Sequence, residues 1–179
     1  SPTLPVCWMS YTGVSNASVY STYQYVYGYY GNTGSNALRT YRSSSTLYLG
    51  DTSMSISPEI QGLDSATKMM EFYGRKGYSA YPGEVIIGVT NANGDASSLT
   101  IIDTIYMDSD LYSKYTVYLD SASGVGTGHA RIAFVSIVDG VYDYMYIDDV
   151  SVMDIPPCPA PISLALTGVT RTTGTMSWS

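Results

Sequence analysis

Histidine occurs once, cysteine twice, and phenylalanine and tryptophan twice each in these 179 residues. A single histidine leaves one candidate for a histidine base, and two cysteines carry no metal-site spacing. Charge is sparse as well: charged residues make up 13%, half the ~25% usual for globular domains. Only 8 residues are basic against 15 acidic, for a formal net charge of −7. That balance argues against nucleic acid or an anionic membrane surface as partner, since both need excess Lys and Arg. No run approaches the ~18 apolar residues of a membrane-crossing helix, so no membrane insertion is expected. No signal peptide opens the chain and the first residue is Ser1, which reads as an excised piece of something longer.

What is present is a core-forming composition, 45% hydrophobic, with 19 tyrosines. Tyrosine at that excess over Phe keeps many hydroxyls near water. Filling the outward positions of strands accounts for most of these rings. Wet aromatic faces also suit sugar or protein binding. No window sustains a helical period. Runs rich in Val, Ile, Tyr and Thr, broken by Gly, Asn, Asp and Ser, predict strands over Ala37–Arg42, Thr46–Leu49, Thr67–Tyr73, Glu84–Thr90, Leu99–Met107, Tyr115–Asp120, Ala130–Val138 and Tyr144–Met153. Ala130, Ile132 and Phe134 fall on one face, with His129, Arg131 and Ala133 on the other. Turns at Asn32-Thr33-Gly34, 91–95 and 123–126 punctuate the runs. Short strands with frequent turns and no helix predict an all-β sandwich of two antiparallel sheets.

After Met153 the composition changes. Residues 154–161 carry four prolines (Pro156, Pro157, Pro159 and Pro161), which no central strand tolerates, so 155–161 reads as a stiff linker. Ile162–Thr170 and Thr175–Ser179 read as two further strands, too few to bury a core of their own. Left unpaired, such strands are an edge liability, and pairing with another strand, a second copy's for example, is expected.

Several segments in order carry a family resemblance. Leu4-Pro5-Val6-Cys7-Trp8, Gly34-Ser35-Asn36-Ala37-Leu38, Ile56-Ser57-Pro58-Glu59-Ile60 and Tyr146-Ile147-Asp148-Asp149-Val150-Ser151-Val152 resemble elements of MAM-like and cleaved-adhesin ("choice-of-anchor") modules. The resemblance spans residues 4 to about 153 and implies a jelly-roll β-sandwich over 1–154. Such modules are accessory parts of secreted or cell-surface (outer-membrane) proteins of Bacteroidetes. Cys158-Pro159-Ala160-Pro161 with Thr175-Met176-Ser177-Trp178 resembles the start of a fibronectin type III domain, over 162–179, with Trp178 as a core residue.

With first and last strands side by side, as the resemblance implies, Cys7 and Cys158 come within reach of a disulfide, which suits an oxidising compartment. Two unrelated thiols are the alternative. In the Asp148-Asp149 pair, the phase of Val150 and Val152 sends Asp148 inward, where a carboxylate needs a partner. Structural calcium ligated by Asp148, Asn36 and Ser35 is one expectation, in keeping with the resemblance. Hydrogen bonds to Asp148 from a turn are the other. Enzyme chemistry looks poor: His129 faces outward beside Arg131, Glu59, Glu71 and Glu84 are the only glutamates, and no nucleophile elbow, phosphate loop or dinucleotide fingerprint occurs.

Binding is what remains. Glu71, Tyr73 and Arg75 share an outward face, and Tyr118 with Arg131 would join one if their strands lay in the same sheet. Tyr78, Tyr81, Tyr142 and Tyr144 lie in or beside turns and offer a second surface. Asn16-Ala17-Ser18 matches a glycosylation sequon, which the bacterial origin implied by the resemblance would make irrelevant. The expectation is a non-catalytic adhesion or carbohydrate-binding module whose partners are a glycan or an extracellular host protein, alongside neighbouring domains. A structural spacer without a ligand is the alternative.

Overall fold

A computed structural model of the chain describes residues 4–5, 7–13, 22–77, 83–157 and 165–177. Tyr78, Tyr81, the Asn16 sequon, Cys158 and Trp178 lie outside the described residues. The described strands are β1 (Met9–Gly13), β2 (Thr22–Gly28), β3 (Asn36–Arg42), β4 (Thr52–Ile56), β5 (Thr67–Lys76), β6 (Gly83–Thr90), β7 (Thr100–Met107), β8 (Ser113–Asp120), β9 (Arg131–Ile137), β10 (Asp143–Asp154), β11 (Ala165–Thr167) and β12 (Thr175–Ser177). Two five-stranded antiparallel sheets, ordered β1-β4-β9-β6-β7 and β2-β3-β10-β5-β8, form a jelly-roll sandwich. Among the described residues, β11 and β12 pair only with each other.

Period-two alternation builds the core. Met70 and Phe72 of β5, Val117 and Leu119 of β8, and Met145 and Ile147 of β10 meet Val85, Ile87, Ile132 and Phe134 of the first sheet. The rings of Phe72 and Phe134 meet edge to face at 5.9 Å. The opposite side of the interior is polar. Thr22 and Ser53 share a hydrogen bond of 2.8 Å between the sheets, and the Gln24 amide donates to the carbonyls of Ser53 and Phe134. The sequence conceals β1, β2 and β4 for this reason: inward positions such as Thr22, Gln24, Ser53 and Ser55 lack the apolar alternation that announces a strand.

Two other expectations are corrected. Thr46–Leu49 is not a strand, for Thr46–Tyr48 forms a 3-10 turn closed by local hydrogen bonds from Tyr48 to Ser45 and from Asp51 to Tyr48. Leu47 and Leu49 are exposed. The far side of β9 is not a solvent face either. Ala133 and Val135 are buried there against Met54, Ile56 and Ile86, with Ala96 and Leu99 from the 91–99 segment packed over them.

At one end of the interior, Arg42 is 3% exposed and Asp143 is fully buried. The Arg42 guanidinium reaches Asp143 at 2.8 Å and both Glu84 and Asp139 at 3.1 Å. Burial pushes the Asp143 carboxyl up to about 6, against the lowering influence of Arg42. Its folded pKa therefore lies above the unfolded value, so folding favours the protonated form. The contribution of Asp143 to stability is highest below about pH 4 and declines as pH rises towards 6, by on the order of 2 kcal/mol. Urea titrations across this range should show that slope, and Asp143→Asn should flatten it. Arg42→Met should destabilise by about 3–5 kcal/mol, because it strands a buried carboxylate.

Candidate binding face

The outer face of the second sheet is built from tyrosine. Alternation along β2 turns Tyr23, Tyr25 and Tyr27 outward, while β3 contributes Arg39 and Tyr41 and β10 contributes Tyr144 and Tyr146. The register aligns these side chains across the strands: Tyr25 pairs Arg39, Arg39 pairs Tyr146, and Tyr146 pairs Arg75 of β5. Rings and cations thus alternate in one row, and the Tyr112 ring closes it, 5.5 Å from the Arg75 guanidinium. At ~4.8 Å between strands, the row from β2 to β5 is about 14 Å long.

Contacts within the face are close. Tyr23 stacks on Tyr41 at 4.6 Å, Tyr30 lies 4.7 Å from Tyr146, and Tyr27 stacks on Tyr30 at 5.6 Å. Arg39 lies 4.4 Å over Tyr144 and donates to the Tyr25 hydroxyl at 3.0 Å. Arg75 lies 4.8 Å from both Tyr30 and Tyr146 and donates to the Asp110 carbonyl at 2.8 Å. The Tyr112 hydroxyl donates to the Tyr30 carbonyl. Beneath the sheet's rim, Gly77 leaves room for the Tyr144 ring, which any Cβ at that position would strike. Tyr146 is buried at the centre, whereas Tyr30 and Tyr142 present 43% and 41% of their surface to solvent.

Of the residues expected from sequence, Tyr73, Arg75 and Tyr118 stand on this outer face. Tyr118 is opposite Met69, roughly 13 Å along β5 from Tyr73. Arg131 does not join them. Its strand belongs to the first sheet, and its guanidinium is tied to the carbonyls of Ala92 and Ser57 at 2.7 and 3.0 Å. The sequence reading missed Arg39 and the tyrosines at 23, 25, 27, 30, 41, 112 and 146. The signal was available: Tyr-x-Tyr-x-Tyr occurs at 23–27 and again at 142–146, a period-two pattern carried by rings that are half wet.

Asp148 also faces outward, contrary to expectation. A bulge between Asp148 and Ser151, with Asp149 at φ 50°, adds a residue to β10 and breaks the phase counted back from Val152. Asp148 Oδ2 accepts from the backbone N–H groups of Asn32 and Thr33, and Oδ1 accepts from Asp149 N–H. The Asp149 carboxylate accepts from the Asn32 amide and the Thr33 hydroxyl. Asp148, Asp149 and Asn36 line one recess of about 350 Å³ with Trp8 and Leu38. Their oxygens are of the type calcium takes, although both carboxylates are already acceptors for the 32–33 turn. Ser35 offers its backbone carbonyl to Tyr29. Cys7 is exposed and in no disulfide among the described residues, outside which Cys158 lies.

His129 sits just before β9, where Nδ1 accepts from Gly126 N–H and Nε2 meets the Thr100 hydroxyl at 3.2 Å. Glu84 and Asp143, carboxylates that converge inside the sandwich, share the one Arg42 guanidinium, an ion-paired arrangement unlike the acid and base of a glycosidase.

No family model matches the sequence, and no curated protein is detectably similar. Solved structures share the fold. The K1 cleaved adhesin domain of Lys-gingipain from Porphyromonas gingivalis W83 superposes with a TM-score of 0.62 at 14% identity, covering 86% of this chain and 94% of that one. The family 30 carbohydrate-binding module of a Clostridium thermocellum cellulosomal cellulase gives 0.55 at 11% identity, with 86% and 95% covered. The CBM22-1 xylan-binding domain of Paenibacillus barcinonensis Xyn10C gives 0.52 at 12% identity, with 87% and 90% covered. The fold of this chain is the jelly roll of the cleaved adhesin domains.

Burial in the ring lattice pushes the Tyr112 and Tyr146 hydroxyls up to about 12, opposed by their neighbouring arginines. Spectrophotometric titration should resolve a late tyrosine class above the ordinary value of 10. Since these folded pKa values exceed the unfolded one, stability should fall as pH rises from about 10 to 12. Tyr146→Phe should shrink the late class.

Proposed function

We propose that this chain is a non-catalytic binding module of a secreted or surface-exposed protein, and that it takes a glycan on the outer face of the second sheet. The row of alternating rings and guanidinium groups across β2, β3, β10 and β5 carries this reading. Sugars combine apolar C–H faces with a rim of hydroxyls. Tyrosine rings stack on the first, while phenol hydroxyls and Arg donors bond the second. The fold shared with adhesin domains and with carbohydrate-binding modules, one of them xylan-binding, supports it. Within 4–153 no helix of the described residues is long and apolar enough to cross a membrane. β11 and β12 are proposed to open a following fibronectin type III domain, a reading supported by their antiparallel pairing.

One observation favours a spacer without a ligand: the rings pack on one another, and Tyr146 is only 3% exposed. A glycan array separates the two readings. Tyr25→Ala and Tyr30→Ala should weaken binding at least tenfold in protein that still melts cooperatively, whereas Tyr106→Ala on β7 of the other sheet should leave binding intact. A blank array from folded protein would support the spacer.

Calcium is a separate proposal, supported by the oxygen donors of Asp148, Asp149 and Asn36 around one recess. Calcium should raise the melting temperature by several degrees relative to EDTA, and Asp148→Asn should abolish the difference. An identical melt in both conditions would leave the Asn32–Thr33 hydrogen bonds as the whole role of the pair.

A further inference from the structure

The acidic chain keeps two cations without anionic partners on its tyrosine face. Among the described residues, Arg42 is ion-paired with Asp143, Glu84 and Asp139, Lys68 with Asp154, and Lys114 with Glu71. Arg39 and Arg75 pair with no carboxylate there. Arg39 donates to a phenol oxygen, and Arg75 to a backbone carbonyl and towards the Tyr112 hydroxyl, all neutral acceptors, and ring faces flank both guanidinium groups. Aromatic faces attract a cation but do not neutralise it. The two arginines are Cα partners of the same residue, Tyr146, on opposite sides, which sets them about 10 Å apart with one ring between.

We infer that the glycan taken on this face is an acidic one, bearing carboxylate or sulfate groups that Arg39 and Arg75 receive while the tyrosine rings stack on the intervening sugar faces. The inference rests on the binding reading above and adds the ligand's charge to it. Guanidinium presents a planar fork that matches both anions with paired N–H donors, and ring packing holds the fork in place before the ligand arrives. Charge complementarity also makes the interaction specific within this molecule. With a net charge of −7 the protein repels polyanions over most of its surface, and Arg39 and Arg75 are the cations that the second sheet sets among stacking rings. Asp148 lies nearby on the same face and keeps its negative charge while accepting from the 32–33 turn, so it bounds the stretch of the face on which an anionic group is favoured.

The test is a titration of the whole chain with polygalacturonate and chondroitin sulfate, beside neutral galactan and xylan, at low and high salt. The acidic polymers should bind at least tenfold more tightly than the neutral ones, with the preference eroded by salt. Arg39→Met and Arg75→Met should each remove most of that preference. Arg39→Lys and Arg75→Lys, which retain charge and stem and so guard against misfolding, should keep part of it. Polygalacturonate offers carboxylate alone and chondroitin sulfate offers carboxylate and sulfate together, so binding of the second without the first assigns sulfate as the required group. Neutral polymers bound as well as acidic ones by folded protein would overturn this inference and leave the binding reading standing. No polymer bound at all would overturn both.

Discussion

Strand β10 must satisfy two environments with one alternation. Met145 and Ile147 fill the core, while Tyr144 and Tyr146 between them form the centre of the outer face. A slip of one residue against β3 or β5 would exchange the two sets and lose both the core and the face. The ladder to β3 on one side and to β5 on the other fixes that register twice, and the row through Arg39, Tyr146 and Arg75 exists only because both pairings hold. The bulge after Asp148 releases the strand from this phase. It leaves the two carboxylates beside the 32–33 turn and returns Val152 to the inner side, opposite Met70.

The outer faces of the two sheets have opposite fates. On the first, Ala133 and Val135 lie beneath Leu99 and Ala96, so that surface is consumed by packing. On the second, the described residues supply no such apolar layer, and the side chains cover one another instead. Ring pairs contribute about 0.5–1.5 kcal/mol beyond area burial, and each guanidinium over a ring about 0.5–2 kcal/mol. These contacts hold the rings in place while leaving their edges wet, which is the condition for a rigid polar-aromatic binding surface.

Much of the fold was legible. The strands at 67–73, 84–90, 115–120 and 144–153 announced themselves through β-branched and apolar alternation, because they flank the apolar half of the interior. The polar half gave no such notice. Ser53, Ser55, Thr22 and Gln24 face inward, where Thr22 and Ser53 bond each other and the Gln24 amide donates to backbone carbonyls, so β2 and β4 read as loop. Within the candidate site, Tyr73 and Arg75 could be put on a common face by counting along one strand. Arg39 could not be found that way, since its neighbours come from β2 and β10 and are distant in sequence.

Residue order by itself determined the all-β class, the turns and which side chains share a face along an unbulged strand, since a strand's two-residue period is a local property of the backbone. Sheet membership was decided only in three dimensions. It separated Arg131 from Tyr118, buried the supposed outward side of β9, and set two arginines on either side of Tyr146. Pairing between distant strands depends on how whole faces pack and on bulges such as the one after Asp148, and no local count along the chain contains that information.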